Sequence, residues 1–178
     1  MGDADIAHKG HTNCELRFGH KEADKEYLQW KWDELRSIGL FTKPPKPRTS
    51  GHGFPQWRLT SNQDSFFNQY REMFYPDGEK VVTIEILDKL EPLGLAVWYQ
   101  DDGTLVDNGR SMGLHVEGFG VEGAKLIKDW FKAKYDLHFH FHKSNGNQVA
   151  LYLGRRGTPQ FLNIVRSYIQ GCMRRKII

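Results

Sequence analysis

Cysteine is scarce in this chain, with only Cys14 and Cys172 among 178 residues. They lie far apart and have neither metal-ligand nor redox spacing, so a reduced, intracellular chain is the default. Long apolar runs are also missing. No stretch approaches the roughly 18–20 residues that cross a bilayer, and the N-terminus lacks the apolar segment of a signal peptide, so no membrane partner is expected. Excess charge is small too: 25 Lys and Arg against 22 Asp and Glu leave +3. That balance is compatible with nucleic-acid binding but does not require it. Aromatic residues, by contrast, make up 13% of the chain, with five tryptophans. Such a composition belongs to a packed globular protein and excludes a disordered basic tail. The length suits one domain or two tightly fused halves.

Periodicity divides the chain into alternating strands and helical stripes. Asn13–Phe18 puts Cys14, Leu16 and Phe18 on one face and Asn13, Glu15 and Arg17 on the other, the pattern of a half-buried strand. A helical stripe over 21–38 is closed by Gly39. KPPKPRTSGHG (43–53) reads as a basic loop or edge strand, and PQWRLTS (55–61) alternates again, exposing Gln56, Arg58 and Thr60. A second helix is predicted over 63–74. The order then repeats. Ser111–Glu117 alternates, 121–135 is an amphipathic helix, LHFHFHK (137–143) and QVALYL (148–153) read as a hairpin around 144–147, and 158–170 is a closing helix. Asp3 and Lys80 are 77 residues apart, Asp102 and Lys176 74. One duplication of a module of about 75 residues explains this, and a pseudo-two-fold protein suits a pseudo-two-fold ligand such as duplex DNA.

The stretch LGLAVWYQDDGTL (93–105) carries the chemistry. Pro92 suits a first helical turn, and Gly103 is placed to end the helix with positive φ. Gly94 and Ala96 contribute little helix propensity, and their small size admits a close neighbouring backbone. Two adjacent carboxylates repel, so a positive partner is expected at Asp101–Asp102. An ordinary core helix ending in an acidic turn accounts for the same pattern.

LAVWYQDDG (95–103) resembles the second signature of the LAGLIDADG homing endonucleases, the two-motif, intron-encoded type. MGDADI at the start resembles the tail of the first signature, with the first motif truncated. YPDGEKVV (75–82) and IQGCMRRKI (169–177) resemble the family's lysine-bearing segments. The resemblance implies an α+β fold of two pseudo-symmetric αββαββα modules, over residues 1–87 and 88–178. Their antiparallel sheets would form a saddle, with the first helix of the N-terminal module absent. It implies a DNA endonuclease hydrolysing both strands of a long duplex target, with Asp3 and Asp102 holding Mg²⁺ (or Mn²⁺) and Lys80 and Lys176 beside them. Asp101 takes a capping or supporting role, and Gln100 stands where the signature has its earlier acid.

Polar strand positions are the implied DNA contacts: Asn13, Glu15 and Arg17; Gln56 and Arg58; Ser111 and His115; His138, His140, His142, Gln148 and Tyr152. Lys43, Lys46 and Arg48 are placed to reach phosphates. Alternate positions of a straight strand are about 6.6 Å apart, too wide for the three histidines to close on one zinc ion. The alternative reading is a truncated or degenerate member that binds DNA or intron RNA without cutting, as a maturase does. A full-length chain would act as a monomer; one without the first helix, as a homodimer.

Overall fold

The computed structural model describes residues 2–9, 12–49, 53–143 and 149–178, which fall into two compact units, Asp3–Pro76 and Asp77–Ile178, with Gly2 grouped with the second. Among the described residues no helix is long and apolar enough to cross a membrane.

The first unit opens on β1 (Ala4–Lys9) and β2 (Asn13–Lys21), followed by helix α1 (Lys25–Leu35), β3 (Lys46–Thr49), β4 (Pro55–Thr60) and helix α2 (Asn68–Phe74). The strands form one antiparallel sheet in the order β1-β2-β4-β3. The helical stripe over 21–38 is real but interrupted. Short 3-10 turns at Glu22–Asp24 and Arg36–Ile38 flank α1, and Gly39 (φ 76°) closes it. Alternation sends Ile6, Cys14, Phe18 and Leu59 inward, where they pack with Leu28, Phe41 and Phe67. The proline-rich segment contributes β3, a fully exposed edge strand, the place where Pro47 costs no ladder bond within the sheet interior.

The second unit carries α3 (Ile84–Asp88), α4 (Pro92–Asp102), β5 (Gly103–Val106), β6 (Ser111–Leu114), α5 (Gly120–Tyr135), β7 (His140–Lys143), β8 (Val149–Leu153) and α6 (Gly157–Val165). Its sheet order, β5-β6-β8-β7, repeats that of the first unit. Trp98, Phe131, Phe139 and Phe161 fill its core, with ring centroids 4.8–6.5 Å apart along the contacts Phe131–Phe139, Trp98–Phe131 and Phe139–Phe161. Asp88 accepts a hydrogen bond from the Trp130 indole at 2.8 Å, which ties α3 to α5.

Several elements depart from the pattern in the sequence. Strand β6 stops at Leu114, although Val116 remains buried, and Ser111, expected on the outward face, is 1% exposed. Strand β7 starts at His140; His138 lies before it and pairs with Asp136 at 3.0 Å. The closing helix ends at Val165. The turn at 144–147 and Gln148 lie outside the described residues. Gly103 does not take positive φ: it is extended (φ −86°, ψ 155°). Its glycine is required for space, because a Cβ there would stand 2.0 Å from Cδ2 of Tyr99. The Tyr99 ring packs on Phe161 at 5.2 Å and its hydroxyl donates to the Lys176 carbonyl at 2.7 Å, so it has no free direction in which to yield. Gly103→Ala should therefore lower stability by about 1–3 kcal/mol, the usual range for overpacking a core. Urea unfolding checks this, with Gly154→Ala, at a position open to solvent, as the comparison expected to change little.

Candidate functional site

The acidic end of α4 is built by its neighbours. Gln100, 1% exposed, donates to the Ala96 carbonyl at 3.1 Å and accepts from the Gln170 backbone N–H at 2.8 Å. A polar group at this buried position thus clamps the C-terminal segment to the helix and leaves the next two residues, Asp101 and Asp102, half-buried at its mouth. The Asp102 carbonyl accepts from the His115 N–H at 2.9 Å, which carries the chain from the helix into β5 and β6. The His115 ring meets Glu117 at 3.1 Å.

Two lysines attach to the backbone beside the acids. Lys176 donates its ammonium to the Gly103 carbonyl, one residue past Asp102. Lys80 donates to the Gly2 carbonyl at 3.2 Å, one residue before Asp3. Gly2 is itself constrained. Its φ is +83°, and a Cβ would lie 2.2 Å from Oδ2 of Asp101, so only glycine fits there. In the first unit the Asp3 carboxylate is 41% exposed and lies 3.4 Å from Nδ1 of His20. His20 is buried and stacks edge-on against Tyr27 at 5.3 Å.

The outward face of the first sheet carries most of the expected polar residues. Strand register places Arg17 opposite Thr60, Lys46 opposite Arg58 and Arg48 opposite Gln56. Lys43, Lys46, Arg48, Arg58 and Thr60 line one open hollow of about 300 Å³. Arg17 is fixed by Glu15 at 2.7 Å and Asp5 at 3.7 Å. Glu15 is 5% exposed; in this arrangement it orients an arginine and does not project outward as expected. Asn13 sits at the end of β2, paired with Lys9. The Arg58 Nε is buried and has no hydrogen-bond partner among the described residues. Burial, and then the charge of Arg48, push the Arg58 guanidinium below its ordinary value. Asp5 and Glu15 offset part of this, and an anion arriving from solution would stabilise the guanidinium further.

The second sheet's outward face is different. His140 pairs with Tyr152, and His142 lies 6.5 Å from the Tyr152 ring. His138, His140, Arg155, Arg156 and Gln160 line a hollow of about 450 Å³ with the start of α6. Arg155 and Arg156 carried no pattern signal, since they lie in a loop where no alternation marks a face. His20 was missed because β2 runs three residues beyond the predicted end, to Lys21.

The chain has clear likenesses. The model of the LAGLIDADG DNA endonuclease family matches residues 1–161. A RecA protein of Mycobacterium shimoidei is 25% identical over 193 residues, covering 100% of this chain and 44% of that protein, so the chain spans less than half of that relative's length. The fold is similar to that of the homing endonuclease I-WcaI bound to its DNA recognition sequence (TM-score 0.85, 24% identity, 99% of this chain and 81% of that one). It is also similar to that of I-DmoI in complex with DNA and Mn (TM-score 0.60, 8% identity, 92% and 88%).

The Arg58 environment makes a direct prediction. Arg58→Met removes a buried donor that lacks a partner, a defect of about 1–3 kcal/mol in general, so the urea midpoint should hold or rise. Binding of a polyanion such as heparin should weaken in the same variant, as read by a titration at low salt.

Proposed function

The chain belongs to the LAGLIDADG DNA endonuclease family, and from that premise we propose that it is a site-specific nuclease that hydrolyses both strands of a long duplex DNA target with a divalent metal, inside the cell where such a target lies. One observation carries this reading. Each acid matched to the family's signature has a lysine bonded to the carbonyl of an adjacent residue, Lys80 at Gly2 beside Asp3 and Lys176 at Gly103 beside Asp102.

The donor set fits the metal. Asp3 and Asp102 offer charged oxygens and no thiolate, the chemistry that Mg²⁺ and Mn²⁺ take, and Asp3 is open enough to exchange water for a ligand. A divalent ion held by either acid would lower the pKa of a bound water and offset charge on a phosphate. Asp101, adjoining Asp102 and packed on Gly2, adds negative charge that favours the cation. Lys80 and Lys176 hold positive charge in fixed positions where negative charge builds on the scissile phosphate, which needs no reorganisation at the moment of reaction. The outward faces supply binding. Lys43, Lys46, Arg48 and Arg58 act on phosphates, and Arg17, Gln56, His140, His142 and Tyr152 offer the hydrogen bonds that read base edges. His115 and His138 are held by Glu117 and Asp136 at the margins of that face, and the contact proposed for Gln148 stands on the strand pattern alone.

Cleavage of a plasmid library in Mg²⁺ tests the proposal. The native chain should cut, Asp102→Asn and Asp3→Asn should not cut above background, and Lys176→Met should lose about 10²–10³ in rate. Tight, salt-sensitive binding of duplex DNA or intron RNA by a chain that cuts nothing would assign it a binding role instead. The mass of the DNA complex distinguishes a monomer from a homodimer.

A further inference from the structure

A lysine buried in an apolar core demands an explanation. Lys31 lies on α1 at 3% exposure, with its ammonium 4.5 Å from the Tyr27 ring centroid and 5.0 Å from that of Phe18. Aromatic faces at that range favour a cation. The Lys31 Nζ also stands 3.0 Å from Nε2 of His20, and the other ring nitrogen of His20 is 3.4 Å from Oδ2 of Asp3. An ammonium has donors and no acceptor. Beside an ammonium, a neutral His20 ring accepts at Nε2 and carries its proton on Nδ1, the atom that faces Asp3. The edge contact with Tyr27 holds the plane of the ring.

We propose that Lys31 and His20 form a positioning relay that holds the Asp3 carboxylate, Lys31 setting the tautomer of His20 and His20 donating from Nδ1 to Asp3. The relay rests on the reading of Asp3 as a metal ligand and deepens it: the histidine engages one carboxylate oxygen and would thereby fix the orientation in which the carboxylate meets an ion. Groups that orient metal-binding side chains in this way are worth about 10–100-fold in metal affinity. Glutamine offers the same pair of functions, an N–H for Asp3 and a carbonyl oxygen for Lys31, whereas phenylalanine offers neither.

Two measurements on the full, metal-free chain test this. Long-range ¹H–¹⁵N correlation of the His20 ring, assigned by its loss in His20→Gln, should show protonated Nδ1 and bare Nε2. A proton on Nε2, or on both nitrogens, overturns the relay, and this result needs no substitution that threatens folding. Titration with Mn²⁺ alone should then show His20→Phe and Lys31→Met binding at least about 10-fold more weakly, with His20→Gln close to native. Equal affinity in His20→Phe overturns the positioning role while leaving the metal reading intact. A native chain that takes up no Mn²⁺ overturns the metal reading itself and with it the purpose of the relay.

Discussion

The Tyr99 ring occupies the space that a side chain at residue 103 would need, and the arrangement of the acidic end of α4 depends on that exclusion. The ring is seated on Phe161 and its hydroxyl is committed to the Lys176 carbonyl. The chain can therefore leave the helix in an extended conformation at once, the Gly103 carbonyl meets the Lys176 ammonium, and β5 begins with no intervening loop. Burial pushes the Tyr99 phenol well above its ordinary value, as it must for a neutral hydroxyl kept away from water. Gln100 secures the same terminus from the other side through Gln170. Two polar side chains inside the core thus fix where two half-buried acids stand.

The two units show how one strand order can be used twice with different chemistry. Both sheets run first, second, fourth, third. In the first, the core is a mixed aliphatic and aromatic cluster around Phe41 and Leu59; in the second, it is a chain of aromatic contacts from Trp98 to Phe161. The hairpin between β5 and β6 turns through Asp107 and Asn108 in the left-handed region, a conformation their short polar side chains tolerate, and Arg155 fastens Asp107 to the start of α6 at 2.9 Å.

Much of this was legible in the residues. Period-two alternation located β2, β4, β6 and β8, and helical stripes located α1, α2, α5 and α6, because each has one face in the core. The limits of reading are equally physical. Ser111 and Glu15 sit at positions whose alternation points outward, yet both are buried; alternation fixes which side of a sheet a residue takes, not what covers that side. His138 shares the parity of His140 but belongs to the turn after α5, where the left-handed Asp136 (φ 52°) holds it. Strands β1 and β5 show no period because ADIAHK has Ile6 as its one large apolar residue and GTLV sets Leu105 and Val106 side by side. Lys31 was hidden for the opposite reason, since a lysine within a helical stripe ordinarily signals solvent. The doublet at Asp101–Asp102 marked the end of α4, where both acids lie half-buried.

The unlike faces of the two sheets have a consequence for what each can attract. One carries a ridge of permanently charged guanidinium and ammonium groups, from Arg17 to Lys46; the other carries imidazoles and a phenol, at His140, His142 and Tyr152. A polyanion that meets the first face finds long-range, undiscriminating attraction, whereas one that meets the second finds short-range directional contacts. One strand order, used twice, thus carries two chemically unlike faces.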